Sequence, residues 1–400
     1  MLETVCLLGS AAGRNAGDAA LLSGIMAAID QRLGRPLLYR IPTLFPSFVR
    51  TSYRKNRVEA VGVMPWTGSL KLMGIPTYRA VTRSDLSLVF DAVLFDRSLY
   101  NPMFNFLSSL AWLLPAAKKA GRHVGLYNCG VGPITTPAGA RMLKKVCDAC
   151  DFMTVRDEGS ADVLREVGVA EERFTVTADA ALNAPGIPDD EIEKLFASIG
   201  LNPSREILAL NINKYLNTWS DQRQRKMATD EFLDVMAEAI NRLAAEIAVP
   251  LLLISTYHGD IPLTEALRRR LRVVQPVVMI DNKQFDHYQI KGLLSRVSLL
   301  FAMRLHAMIL ASASGTPIAG LAYQPKVRHY FEHAGIADAC TDFENFSVDR
   351  LFGFMKRCWQ DREAIRRTLA VQVPIMQRRA MVAADEVARL DAGLKAPARE

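Results

Sequence analysis

The sequence predicts an α/β protein: two doubly wound, Rossmann-like domains in tandem, facing a cleft. Three observations carry this. Apolar runs of strand length alternate with helical stretches over most of the 400 residues. The runs are continuous rather than alternating, as in parallel strands covered by helices on both faces. The series pauses once, over 183–205, where three prolines and several acidic residues cluster.

Before that pause the runs are 4–10 (TVCLLGS), 91–96 (DAVLFD), 123–130 (HVGLYNCG), 152–157 (FMTVRD) and 174–179 (FTVTAD). After it they are 207–213 (ILALNIN), 250–256 (PLLLIST), 277–281 (VVMID), 297–303 (VSLLFAM) and 317–323 (PIAGLAY). The expected division is 1–190, an N-terminal domain holding the first glycine loop and Arg156, 200–350, a second domain, and 351–400, helices and a polar tail that frays. In open sheets of this kind ligands sit beyond the carboxyl ends of the strands.

Half of the residues are hydrophobic, enough for two cores, and the formal net charge is +7. The charge is spread along the chain and not gathered into a tail. It permits an anionic small substrate or a membrane surface. The aromatic-basic signature of an RNA-binding module is missing, so no nucleic-acid partner is expected. Six cysteines in so long a chain do not make a disulfide framework and fit a reducing compartment. Cys147 and Cys150 form a lone CxxC in a helical stretch, and a buried pair suits them better than zinc, which needs four ligands. Met1 leads straight into the first strand without a signal peptide, and the longest apolar run, 104–117, is broken by Ser108, Ser109 and Pro115. The expectation is a cytoplasmic protein, working free or at the inner face of the plasma membrane.

Four stretches carry chemistry. In 9–24 (GSAAGRNAGDAALLSG) three glycines follow a strand and a helix begins near Asp18. That is either a helix N-terminus presented to an anion or a turn capped by Asp18. The spacing matches neither a dinucleotide fingerprint nor a P-loop. The loop 130–143 (GVGPITTPAGARML) reads as a connector. In 154–169 (TVRDEGSADVLREVGV) Arg156 ends a strand and Asp157 or Ser160 opens a helix. In 303–326 (MRLHAMILASASGTPIAGLAYQPK) Arg304 and His306 stand between a strand and a helix of small residues closed by Gly315, and Tyr323 and Lys326 follow the next strand. Buried cations at strand ends ask for an anion or a structural partner. The basic run 48–58 (Arg50, Arg54, Lys55, Arg57) is either a contact for an anionic lipid-linked acceptor or a solvated face, and 267–272 (LRRRLR) reads as the outer face of a helix.

The set NAGDAAL, VGPITTP, VRDEGSADVLREVGV, TADAAL and MRLHAMILASASGTPIAGLAYQPKV, in this order, resembles the polysaccharide pyruvyl transferase family. The resemblance implies a glycosyltransferase-B-type fold. It also implies phosphoenolpyruvate as donor substrate and, as acceptor, a glycan or lipid-linked glycan whose hydroxyls receive a pyruvate ketal. One departure is visible: 94–103 (LFDRSLYNPM) puts Asp96 and Arg97 where similar members carry glycines. A doubly anionic donor calls for several cations. Arg156, Arg304 and Lys326 are the candidates, with Arg14, Asn15 and Tyr323 beside them. His306 is the candidate acid for the enol methylene, and Asp18 the candidate base. No metal-ligand spacing occurs, and no cofactor or essential metal is expected. A nucleotide-sugar glycosyltransferase and a catalytically silent protein that binds a glycan or a partner enzyme are the alternatives on the same fold.

Overall fold

A computed structural model describes residues 1–53, 56–101, 104–214 and 227–395. Of the basic run noted above, Arg54 and Lys55 lie outside these residues. The chain forms two compact units. The first comprises Met1–Gly13, Leu21–Ala184 and Met376–Glu400, and the second Arg14–Ala20 and Pro185–Ile375. Residues 14–20 therefore group with the second unit, whereas the sequence reading places that loop in the N-terminal domain.

In chain order the first unit's elements are β1 (Thr4–Leu8), α1 (Ala16–Leu33, whose first turn belongs to the second unit), β2 (Leu38–Thr43), α2 (Pro46–Ser52) and β3 (Arg57–Gly62). A hairpin of β4 (Ser69–Leu70) and β5 (Met73–Gly74) follows, then α3 (Ile75–Arg83), β6 (Leu86–Val89), α4 (Leu107–Lys119) and β7 (His123–Cys129). The unit continues with α5 (Pro137–Ala149), β8 (Phe152–Val155), α6 (Glu158–Glu166) and β9 (Thr175–Val176). Its sheet is parallel, in the order β3-β2-β1-β6-β7-β8-β9.

The second unit has α7 (Asp189–Ser198), β10 (Leu208–Asn211), α8 (Thr229–Ile247), β11 (Leu251–Ser255), α9 (Ile261–Arg268), β12 (Val277–Asp281) and α10 (His287–Leu294). Then come β13 (Leu299–Ala302), α11 (Leu305–Ser312), β14 (Ile318–Ala322), α12 (Pro325–His333), β15 (Cys340–Asp342), α13 (Val348–Gln360) and α14 (Arg362–Lys395, whose residues from Met376 onward belong to the first unit). The sheet is parallel, β12-β11-β10-β13-β14-β15. Both sheets reverse their winding once, between β1 and β6 and between β10 and β13. This is the doubly wound α/β architecture that the continuous apolar runs require. The central strands β6, β10, β11 and β13 are buried at every position.

Some elements differ from the sequence reading. The run 91–96 is not a strand. The strand is Leu86–Val89, and Asp91, at φ 67°, turns the chain out of the sheet, leaving Leu94 an isolated bridge to Val131. β2 and β3 have no continuous apolar run, because β3 lies at the sheet edge and β2 next to it. The proline-rich pause holds a helix, α7: three acidic residues occupy its first turn, favoured by the helix dipole, while Ile192 and Phe196 bury one side. Of 267–272, only Arg268 and the residue before it are helical. The terminal helix runs to Lys395, and the tail expected to fray beyond it lies outside the described residues; buried Asp391 accepts from the Leu2 N–H (2.6 Å) and from Arg35 (2.8 Å). All six cysteines are free and buried.

The departure at Asp96 is structural. Its carboxylate, 4% exposed, accepts from the backbone N–H groups of Thr135 (2.8 Å) and Thr136 (2.6 Å) and from both hydroxyls (3.1 and 2.8 Å). It thereby staples the loop before α5. Burial alone would raise its pKa, but the four donors outweigh burial and hold it below the ordinary carboxylate value. A lowered folded-state pKa gives stability that is complete above about pH 4 and is lost as pH falls through the lowered value. Asp96→Ala is expected to cost about 3 kcal/mol in denaturant unfolding at neutral pH. The deficit should shrink in acid, and a deficit that does not change with pH would contradict the staple.

Candidate functional site

The second unit's reversal point, between β10 and β13, gathers polar side chains at the strands' carboxyl ends. Three loops build it. Asn211, the last residue of β10, is fully buried. Its side-chain carbonyl accepts from the Arg304 N–H (3.1 Å), and its amide donates to the Ile254 carbonyl (2.7 Å). One side chain thus fixes where the loops after β11 and β13 begin. Arg304 then precedes the first turn of α11, and His306 is the second residue of that helix, as the sequence reading has it.

Arg304 is held on two sides. Its Nε donates to the carboxylate of Asp260, which is fully buried, and its guanidinium lies 4.6 Å from the Tyr257 ring centroid. Lys214, exposed, places its ammonium 5.5 Å from the same ring, and its backbone N–H donates to Asp260 (3.2 Å). Two cations therefore share one aromatic ring, and one carboxylate accepts from the side chain of Arg304 and the backbone of Lys214. The Tyr323 hydroxyl joins them through a hydrogen bond to Asn213. Burial raises its pKa, Arg304 and Asn213 pull it back, and the net shift is upward, so it is a donor at neutral pH.

The fourth wall is the loop 14–20. The carbonyl of Arg14 accepts from the His258 N–H (3.0 Å), Asn15 bridges to Tyr257, and the Ala16 N–H donates to the Thr256 carbonyl (2.8 Å). Asn15, not Asp18, caps α1: its side-chain oxygen accepts from the Gly17 N–H (3.0 Å). Asp18 sits in the first turn and accepts from the Asn15 amide (2.6 Å). Gly17 packs against the His306 ring so closely that a Cβ there would overlap the imidazole. Gly17→Ala is expected to cost about 1–3 kcal/mol in denaturant unfolding. Wild-type stability would mean that the ring moves aside freely.

Arg14, Asn15, Asp18, Arg304, His306 and Tyr323 thus belong to one constellation. Lys326 opens α12, half-buried, two residues beyond the Tyr323–Gln324 turn. Arg156 belongs to a different constellation, in the first unit. It is 7% exposed, with Asp179 at 3.2 Å and Asp157 at 3.4 Å. Burial pulls its pKa down, but Asp179, Asp157 and Asp91 outweigh burial and raise it, so the guanidinium stays charged. Asp157 also caps α6, and Asp179 caps the turn at Ala180–Asn183.

Lys214, Tyr257 and Asp260 escape the sequence reading. The available signal for Tyr257 and Asp260 is YHGD (257–260), which follows directly on the run 250–256, at the same sheet edge as Arg304. Among the described residues no three His, Cys, Asp or Glu side chains gather as a metal site would require. Chemically, the second unit's site offers two cations and a phenol to an anion, with an imidazole on the next helix.

A profile of the polysaccharide pyruvyl transferase family matches residues 15–325. No curated protein matches the chain. Among solved structures, the HepE protein of Anabaena, in complex with UDP and glucose, is 14% identical with a TM-score of 0.59, over 98% of this chain and 100% of that one. The UDP-GlcNAc 2-epimerase of Neisseria meningitidis, bound to UDP-GlcNAc, gives 11% and 0.61, over 97% and 100%. The ADP-heptose heptosyltransferase II of E. coli gives 13% and 0.52, over 90% and 100%. At these identities the likeness concerns the fold, which is of the glycosyltransferase-B type.

Proposed function

The chain belongs to the polysaccharide pyruvyl transferase family, and on that premise we propose that it moves a pyruvyl group from phosphoenolpyruvate to two hydroxyls of a glycan or lipid-linked glycan. The product is a pyruvate ketal of a cell-surface polysaccharide, made in the cytoplasm or at the inner face of the plasma membrane. The observation that carries this reading is the convergence of Arg304, Lys214 and Tyr323 beside His306 at the second unit's reversal point.

Phosphoenolpyruvate carries a carboxylate and a phosphate on one enol. In the proposed reaction Arg304 and Lys214 bind these anions, with Arg14 and Lys326 as further cations and Asn15 and Tyr323 as polar contacts. Arg156 remains a candidate from the first unit, its charge already balanced by carboxylates. His306 gives a proton to the methylene carbon, which becomes a methyl group. The adjacent carbon turns electrophilic, and a sugar hydroxyl adds to it. The carbon–oxygen bond to phosphate then breaks, a second hydroxyl closes the ring, and inorganic phosphate leaves with the pyruvyl carbon now a ketal. Asp18 is the candidate to accept a hydroxyl proton.

Thermal unfolding with phosphoenolpyruvate, against UDP-glucose and ADP-heptose, tests the donor. A ligand at a hundred times its Kd adds about 2.7 kcal/mol to stability. Stabilisation by phosphoenolpyruvate alone, with phosphate released when a glycan acceptor is added, is the expected result. Stabilisation by a nucleotide sugar alone would replace this reading with a glycosyltransferase.

A further inference from the structure

Some of the largest apolar side chains of the first unit face solvent together. Trp66 is 81% exposed, Ile75 54%, Trp112 49% and Leu70 48%, with Met73 and Tyr78 exposed beside them. They share one substructure. Trp66 sits in the turn Pro65–Thr67, which leads into the β4-β5 hairpin, where Leu70 pairs with Met73. The hairpin runs directly into α3, which begins at Ile75. Tyr78 of α3 stacks on Trp112 of α4, their rings 5.4 Å apart. Isolated exposed hydrophobics are ordinary, but a contiguous set marks a surface that is covered in use.

Charge indicates what covers it. Residues 45–84 hold seven Lys and Arg against one acidic residue, Glu59, a net of +6 within a chain whose total is +7. The positive charge is thus local, not spread as the composition alone had suggested. On α3, Ile75, Tyr78, Arg79 and Arg83 are all exposed and recur at helical spacing, while Thr77, Ala80 and Val81 bury the opposite side. A helix face with apolar and aromatic residues at one end and cations at the other matches the two layers of a bilayer interface. A second copy of this surface would meet it with like charge and be repelled. Among the described residues no helix is long and apolar enough to cross a membrane, so contact would be through a surface such as this one.

We propose that the turn at Trp66, the β4-β5 hairpin and the exposed faces of α3 and α4 dock on an anionic lipid bilayer, the aromatic and aliphatic tips entering the interface and Arg79 and Arg83 meeting the headgroups. None of this depends on the chemistry of the second unit.

The test is co-sedimentation of the full chain with vesicles of phosphatidylglycerol and phosphatidylcholine, against pure phosphatidylcholine. The chain should sediment with the anionic vesicles, and salt should weaken the binding. Arg79→Gln and Arg83→Gln should each weaken it about fivefold. Trp66→Ser with Ile75→Ser should abolish it and remove the quenching of tryptophan fluorescence by brominated lipid, with the unfolding midpoint unchanged because both side chains lie outside the core. Failure to sediment, or variants that bind as the wild type does, would overturn the proposal. So would a change of oligomeric state in the Trp66 variant, or a protein partner that binds this face while vesicles do not.

Discussion

His306→Gln should lower turnover by about 10² to 10⁴, while the stabilisation given by phosphoenolpyruvate stays near that of the wild type. Glutamine keeps much of the shape and one hydrogen-bonding group, but has no proton of suitable acidity for carbon. The cations are untouched: Arg304 keeps Asp260 and Tyr257, and Lys214 keeps its place over the same ring. Phosphate release and thermal unfolding, measured on one preparation, separate the chemical step from binding. Full turnover in the variant would remove His306 as the acid. A loss of turnover together with loss of stabilisation would make it a binding residue.

The largest expected effect on stability belongs to Asp260. Its side chain is fully buried, and that of Arg304 is 13% exposed. Asp260→Ala leaves a guanidinium out of water without its anion, which in buried pairs costs about 3–5 kcal/mol. Replacing both partners by apolar groups, Asp260→Leu with Arg304→Met, should recover much of that loss, because neither charge is then desolvated. Stability and function should part at this point. The double variant should unfold near the wild-type midpoint and give no response to phosphoenolpyruvate. A double variant still stabilised by the donor would show that Arg304 is architectural.

The alternation of apolar runs and helices made the doubly wound class legible, since buried parallel strands leave continuous hydrophobic stretches. Strands at a sheet's margin leave none, and β3, half exposed, was silent for that reason. His306 and Arg304 were legible because a strand ends just before them. The sequence points to Asp18 as the cap of α1, one turn late, because Asp18 is the more familiar capping residue after a glycine, but Asn15 reaches the free N–H first. Lys214, Tyr257 and Asp260 acquire meaning only when β10, β11 and β13 lie side by side, which a linear reading does not reveal. Asp96 stood out as a departure from the glycines expected there, and its four donors lie about forty residues downstream.

The order of synthesis adds a constraint of its own. Residues 14–20 leave the ribosome well before their partners at Thr256–His258, which are about 240 residues behind. At roughly 5 to 20 residues per second the segment waits about 12 to 50 s for them. The first unit waits longer, because Asp391, which holds the Leu2 N–H and Arg35, is made 389 and 356 residues after them. The first unit's last segment, from Met376 onward, follows the whole of the second unit in the chain. A ribosome stalled after residue 200 would therefore hold a sheet lacking its closing helix, with the glycine loop still waiting for its partners.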